Sequence, residues 1–415
     1  MESEGRMGPP LPPSSAIMPS PPPRKLVTVR RISQLTQIKR SRFEVATVDG
    51  WNVVVEKGLY TIGELIVYFE IDSFLPEDDD RYWEYTISGS IQEYLGKRGT
   101  VVRTRLHLRH ISQGVIFPLN TFPEIIQDMR AQCKAPGPHN AAEIEKKMMD
   151  IDYAGLLGIK KFEEHFLDDG VSYGYPPIFF PQPGCERAQN VVSLFEQYGN
   201  EDFHVTEKVD GIPITVYHVD PQSQWFAALP RGADTKGAER PHLGVCSRSV
   251  DYMEVDNSIP WKAAREQGII SKVPRIGALC AAASHRNGGN NFAIQGELCG
   301  DGIMGNSMQF HKGQHRFFAF GIYDIDKQKW LHPQQTFQIC KSLHIDHVPV
   351  ITRKKLNHFA KDTDELLRKA EGRGVNGSNR EGLVFRTLNS TFSFKAISNS
   401  WLLEYGHLKS TPDQW

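Results

Sequence analysis

Residues 202–219, DFHVTEKVDGIPITVYHV, set a lysine beside an Asp-Gly turn: a strand, a tight turn carrying Lys208, Asp210 and Gly211, and a second strand. Lys-x-Asp-Gly alone is an ordinary hairpin pattern. The chain downstream of it is not ordinary. VCSRSVDYM (245–253), FAIQGELCGDGIMGN (292–306), RFFAFGIYDID (316–326), REGLVFR (380–386) and FSFKAIS (392–398) are β-like runs, each holding a charged residue that its neighbours do not explain. A strand such as FAIQGEL ordinarily excludes Glu297, and FSFKAI excludes Lys395, because burying a lone charge is costly. Charges that converge on a ligand resolve this conflict, and the ordered set reads as a phosphate-handling site.

Other candidate sites are weaker. His311 and His315 have metal-like spacing but sit in a polar turn, HKGQH. GRGVNGSNR (372–380) has the glycines of a phosphate-cradling loop without its Gly-Lys-Ser/Thr ending, which predicts a flexible connector. The segment 229–242 reads as a mobile hairpin tip, and Glu77–Asp80 as a solvated acidic turn.

The elements that must position these residues follow from texture. The chain has 415 residues, enough for two or three domains. Hydrophobic residues are 40% and charged residues 23%, which argues against a coiled coil or a wholly disordered chain. Lys and Arg number 48 against 49 Asp and Glu, so overall charge does not hold nucleic acid, although a local basic groove can. Residues 1–24, rich in Pro and Ser, predict a disordered tail. From Lys25 to residue 125, LVTVRRI, RFEVATVDG, WNVVVEKG, ELIVYFEIDSFLP and GTVVRTRLHLRHISQGVIFPL predict a small β-barrel such as an OB-fold. If such a barrel meets phosphates through Lys and Arg, its binding of a duplex is salt-sensitive. Residues 126–184 predict a helical connector ending in YGYPPIFFPQPG, and RAQNVVSLFEQYGN (187–200) predicts a helix stopped by Gly-Asn. No apolar run reaches the roughly 18 residues of a membrane span. The N-terminus lacks a secretory signal, and the six scattered cysteines form no CxxC pair. Together these predict an intracellular, reducing compartment, cytoplasm or nucleus, and no membrane partner.

Taken in order, TEKVDG, CSRS, QGELCGDGIMGN, FFAFGIYDI, EGLVFR and SFKAIS resemble the covalent nucleotidyltransferase superfamily of polynucleotide ligases and capping enzymes. Within it they look like an ATP-dependent RNA ligase, closest to the fifth RNA ligase family, whose barrel precedes the ligase domain. DNA ligases and capping enzymes have the reverse order. The resemblance implies an α+β fold: an N-terminal OB-like barrel, then a nucleotidyltransferase domain over 185–415 built of antiparallel sheets flanked by helices. It implies sealing of RNA 3′-hydroxyl and 5′-phosphate ends, at nicks in RNA-containing duplexes, with ATP and Mg²⁺ or Mn²⁺. An ATP-dependent DNA ligase, a GTP-using capping enzyme and an inactive nucleic-acid-binding relative are the alternatives.

The resemblance also implies roles. Lys208 would carry AMP as a phosphoramide, Asp210 would bond the ribose or position the lysine, and Gly211 would permit the turn and close approach to the nucleotide. Glu207 would sit where adenine is read, Arg248 would contact phosphate, Glu297 the ribose hydroxyls, and Glu381 the metal. Phe320 would stack on adenine, with Phe317 and Phe318 as close competitors. Lys395 would neutralise charge on the α-phosphate, and with the metal would favour the unprotonated Lys208 amine. SFKAIS offers one lysine where double-strand RNA ligases typically carry two, one residue apart, and some relatives have histidine in place of Asp210. Both departures bear on substrate contacts more than on adenylation.

Overall fold

Branched and aromatic residues at alternate positions build the N-terminal barrel. In Trp51–Glu56, for example, Trp51, Val53 and Val55 are buried while Asn52 and Val54 are only partly so. The computed structural model describes residues 24–133, 145, 147–162, 172–229, 242–286 and 290–405. The expected tail before Arg24 and the expected hairpin tip at 230–241 lie outside these residues. Eleven barrel strands, β1–β11, span Val27–Arg31, Gln34–Gln37, Phe43–Val48, Trp51–Glu56, Leu65–Phe69, Ser73–Pro76, Gln92–Tyr94, Lys97–Val101, Arg105–His107, His110–Ser112 and Val115–Pro118.

Strand β5 is the barrel's centre, pairing with β1 and β11. Its alternate residues feed two cores: Val67 and Phe69 pack with Val27, Val29 and Phe117, whereas Ile66 and Tyr68 pack with Trp51, Val53 and Ile116. The β3–β4 hairpin turns on Asp49 and Gly50, both at positive φ (46° and 81°), the conformation that Asp-Gly favours.

The segment 126–184 is only partly the helical connector its sequence predicts. The helix Pro123–Cys133 opens it, but Met148, Tyr153, Ala154, Leu157 and Ile159 return to the barrel core. Tyr153 donates a backbone hydrogen bond to the Val27 carbonyl at 2.8 Å, and β12 (Lys160–Lys161) pairs with β6. Burial of these side chains, worth about 1.5–3 kcal/mol each for Met148, Leu157 and Ile159, draws this part of the segment onto the barrel.

The second unit contains β13 (Ser172–Gly174), β14 (Glu186–Arg187), β15 (Asp202–Lys208), β16 (Ile212–His218), β17 (Leu243–Cys246) and β18 (Asp251–Tyr252). It continues with β19 (Phe292–Gly300), β20 (His315–Asp324), β21 (Lys329–Trp330), β22 (Val350–Lys355), β23 (Gly382–Thr387) and β24 (Ser393–Ile397). These form a five-stranded sheet, β14-β24-β23-β15-β22, and a seven-stranded sheet, β13-β18-β17-β16-β19-β20-β21. The pairing is antiparallel except for β14 with β24, which is parallel. The helices Ile259–Glu266, Val273–Ala283 and Pro333–Ser342 cover the larger sheet, and Thr363–Ala370 covers the smaller.

The expected strand, turn and strand around Lys208 are present, and the helix expected over 187–200 is largely replaced. The strands either side of Lys208 do not form a hairpin: β15 pairs with β22 and β23, and β16 with β17 and β19. The TEKVDG turn therefore steps from one sheet to the other and lies where they meet. The stretch 187–200 is helical only at Leu194–Tyr198 and in a short 3-10 turn at Ala188–Asn190. Its first residue, Arg187, is instead held extended against Lys395 of β24.

Candidate active site

Period-two alternation aims the charged side chains. In β15, Phe203 and Val205 enter the apolar core, while His204, Thr206 and Lys208 line a cavity of about 370 Å³ between the two sheets and the barrel. In β23, Leu383 and Phe385 are core residues and Val384 and Arg386 line the cavity. In β24, Phe394 and Ala396 are core residues and Lys395 and Ile397 line it. One face of each strand enters the core, and the other faces the cavity.

The Lys208 Nζ lies 2.7 Å from Glu381 Oε2. Glu381 is buried immediately before β23, so the cost of its charge is met by this ion pair. Glu297 of β19 and Arg248, exposed after β17, complete the opposite wall. Lys395 makes no ion pair with a carboxylate among the described residues. Burial pushes its pKa down to about 8; Cys185 opposes the shift, and Lys208, Arg187 and Arg24 add to it.

Phe320 is the only one of the three candidate rings in the cavity lining, with the Arg386 guanidinium 5.5 Å from its centroid. Phe317 is fully buried in the core under the helices, and Phe318 lies beneath Arg316. Glu207 borders the cavity, but its carboxylate accepts from the Val375 backbone N–H at 3.0 and 3.1 Å. Burial raises its pKa, against that hydrogen bond and the Arg380 charge. The glycine-rich segment 372–380 is accordingly tied down, contrary to its reading as a flexible connector. Arg380 tightens it further by donating to the Lys369, Ala370 and Glu371 carbonyls.

Of the two turn residues, Gly211 lines the cavity and Asp210 does not. Asp210 is buried, lies outside the lining of this cavity and accepts a hydrogen bond from Ser307 Oγ at 2.5 Å. It thereby ties the sheet crossing to the segment after β19. At Gly211 a Cβ would lie 2.3 Å from the Leu298 carbonyl oxygen, so the glycine answers to the close approach of β19.

Comparison with known proteins shows what the two units are similar to. An RNA ligase family model matches residues 201–397, and an OB-fold domain model matches residues 26–119. A search of curated proteins gave no match. Among solved structures, Naegleria gruberi RNA ligase with pyrophosphate is 33% identical with a TM-score of 0.71, over 91% of this chain and 98% of that one. This chain belongs to the RNA ligase family. A glutamate-to-alanine variant of the Naegleria ligase with ATP and Mn is 32% identical with a TM-score of 0.70, again over 91% and 98% of the two chains. A lysine-to-methionine variant with AMP and Mn is 33% identical with a TM-score of 0.69 at the same coverage.

Several residues of this RNA ligase's cavity escape a reading by motifs. Arg187 is buried with Nε and Nη1 unpaired by hydrogen bonds, and burial, reinforced by Arg24, lowers its pKa. Burial likewise lowers the pKa of Arg386, which donates to the Phe320 carbonyl at 3.0 Å. His204 is buried, its pKa held at about 4 by burial and then by His347, so it is neutral near pH 7. From the barrel come Arg24, Asp72, Arg103 and Thr104. Arg386 has a sequence signal, a cation alternating with Leu383 and Phe385. Arg187 and the barrel residues have none, because only the parallel β14–β24 pairing and the domain contact bring them in.

Proposed function

We propose that this RNA ligase joins RNA 3′-hydroxyl and 5′-phosphate ends at nicks in duplexes, using ATP and a lysyl-adenylate on Lys208. The observation carrying the proposal is the convergence of Lys208, Glu297, Glu381 and Lys395 in one cavity. Its volume of about 370 Å³ is within the range of small-ligand sites.

An ammonium has no lone pair, so Lys208 first leaves its ion pair with Glu381 and gives up a proton to solvent, and a second N–H proton passes to solvent as the N–P bond forms. The amine then forms an N–P bond to the α-phosphorus of ATP, and pyrophosphate leaves with the electrons of the broken P–O bond. Lys395, Arg187 and Arg248 offer positive charge to the phosphates as negative charge shifts onto the leaving group. Phe320 and Val384 offer apolar surface to the base, and Glu297 accepts from the ribose hydroxyls. Asp210 is a positioning residue acting through Ser307. In the second step an oxygen of the RNA 5′-phosphate takes the adenylyl group, breaking the N–P bond and returning the lysine amine. In the third the 3′-hydroxyl attacks that 5′-phosphorus and expels AMP.

The residues fit a divalent cation. Among the described residues no cluster of three or more ligating side chains makes a ready cage, whereas Glu381 and Glu297 face the cavity. Mg²⁺ characteristically takes one or two carboxylates and completes its shell with phosphates and water. Glu381 would hold it, assisted by Glu297, and the ion would supply positive charge beside the transferring phosphate. We further propose a reducing intracellular compartment, in keeping with six cysteines that are scattered along the sequence and form no CxxC pair.

The test is incubation with ATP labelled on the α-phosphate plus Mg²⁺ or Mn²⁺, after stripping bound AMP with pyrophosphate. Covalent label is expected from ATP in preference to GTP, with none in Lys208→Ala. A nicked duplex with RNA at the 3′-hydroxyl side should then be sealed. Absence of label from the wild-type protein would overturn the proposal.

A further inference from the structure

The barrel wall of the cavity runs directly into an exposed hairpin. Arg103 and Thr104 line the cavity, and β9 begins at the next residue, Arg105. Strands β9 and β10 pair only with each other in the hydrogen-bonded ladder, with His107 opposite His110, leaving Leu108 and Arg109 as a two-residue turn. Every residue from Arg105 to Arg109 is exposed, including Leu106 at 59% and Leu108 at 48%. Neither Arg105 nor Arg109 forms an ion pair among the described residues. The ribbon is nonetheless anchored: Ser112 Oγ accepts from the Val54 backbone N–H at 3.1 Å, and His107 packs edge-on against Phe43 at 4.8 Å. The exposed Arg42 guanidinium lies 5.0 Å from that Phe43 ring, adding a third cation on this side.

The turn chemistry sets this hairpin apart. The β3–β4 turn has Asp49 and Gly50 at positive φ, and the β7–β8 turn has Leu95 and Gly96. At the β9–β10 turn, Leu108 and Arg109 occupy the same conformation at φ 49° and 66°, without glycine. Asn-Gly or Asp-Gly would suit this backbone better. The barrel thus holds a leucine and an arginine at an unfavoured, solvent-exposed tip beside the cavity. Strained backbone of this kind, once observed, points to use of the side chains.

We infer that the β9–β10 hairpin grips the polynucleotide duplex whose ends enter the cavity, with Arg105 and Arg109 on phosphates and Leu106 and Leu108 against sugars and base edges. An RNA-containing duplex fits this surface: its wide, shallow minor groove presents sugars and base edges to the apolar side chains, and arginines without ion pairs among the described residues complement its phosphates. The inference rests on the end-joining reading above and adds the place where the substrate is held outside the reacting centre.

Two full-length variants test it. Leu108→Asn with Arg109→Gly removes both tip side chains while giving the turn residues it favours, so the hairpin is kept. Arg105→Ala with Arg109→Ala removes both cationic side chains and keeps Leu106 and Leu108. Each is measured for Lys208 labelling by ATP without RNA, for binding a nicked RNA-containing duplex across a salt series, and for sealing it. Labelling should stay within twofold of wild type, while duplex affinity near 0.1 M salt should fall at least tenfold. In the double-alanine variant, the slope of log affinity against log salt should shrink by roughly 0.9 for each phosphate that is no longer neutralised.

If the wild type seals the duplex and both variants bind and seal it equally well, the inference is overturned and the end-joining reading stands. An equal loss of labelling would make the hairpin a prop of the cavity and also overturn it. An equal loss of affinity for single-stranded RNA would overturn the duplex assignment. A wild-type protein that takes label but joins no RNA ends would instead overturn the reading on which the inference rests.

Discussion

The two walls of the cavity treat positive charge in opposite ways. On the barrel side Arg24 pairs with Glu70 at 2.6 Å and Asp72 at 2.7 Å, and Arg103 pairs with Asp72 at 3.1 Å. Burial alone would raise the Asp72 pKa, but Arg24, with Arg187 and Arg103, holds it well below the usual carboxylate range. Against burial, Glu70 and Asp72 raise the Arg24 pKa, whereas on the ligase side burial prevails and lowers the pKa of Lys395, Arg187 and Arg386. Compensated charges hold the domain contact together. The less compensated ones, of which only Arg187 has a carboxylate partner among the described residues, Glu70 at 3.7 Å, carry a desolvation cost that the proposed anionic ligand would relieve.

Substitutions in each wall should break this contrast differently. Lys395→Met should lower the rate of Lys208 labelling by roughly 10²–10³-fold, the scale seen on removing a preorganised donor from a charged transition state. Its melting temperature should hold or rise, since a buried cation without an ion pair is removed; a large drop in melting temperature would contradict the assignment. Glu70→Gln should do the reverse in the ligand-free protein. It strips Arg24 of a partner and leaves Arg187, 3.7 Å away, further uncompensated, at a stability cost of about 3 kcal/mol measured by denaturant unfolding.

A smaller effect should separate the aromatic candidates. Phe320→Ala should weaken ATP binding about tenfold through lost stacking, with little loss of stability. Phe317→Ala should destabilise the domain by about 3–5 kcal/mol instead, because it empties a fully buried core position.

The smallest effect is in pH. Lys395 loses its proton near pH 8, so ATP affinity should fall as pH rises through that value, and Lys395→Met should flatten this component. Stability carries the opposite sign. Between pH 8 and about 10.4 the unfolded chain holds this proton and the ligand-free fold does not, so wild-type stability gains on that of Lys395→Met. Thermal unfolding across this window measures the difference.

Much of the reacting centre was legible because strands alternate. Once FSFKAIS and REGLVFR are read as strands with aromatic core faces, Lys395 and Arg386 must share the opposite faces, and Lys208 in TEKVDG obeys the same rule. Phe320 was less distinct, since three rings lie close together and only the β19–β20 pairing decides which enters the cavity. The helix expected over 187–200 failed where Arg187 pairs along β24, a long-range partner that local periodicity does not register.

By itself, then, the sequence determined the order of the two units, the strands of the site and the charges that conflict with burial in them. Only the tertiary structure decided that β15 and β16 lie in different sheets, so that Lys208 sits at their crossing. It alone decided that residues 148–161 complete the barrel, that Asp210 turns to Ser307, and that the barrel supplies Arg24, Asp72 and Arg103 to one wall. The physical reason is range. Alternation and turn chemistry act over a few residues and are written locally, whereas sheet partners and ion pairs between units are chosen by which surfaces meet after the chain has closed on itself.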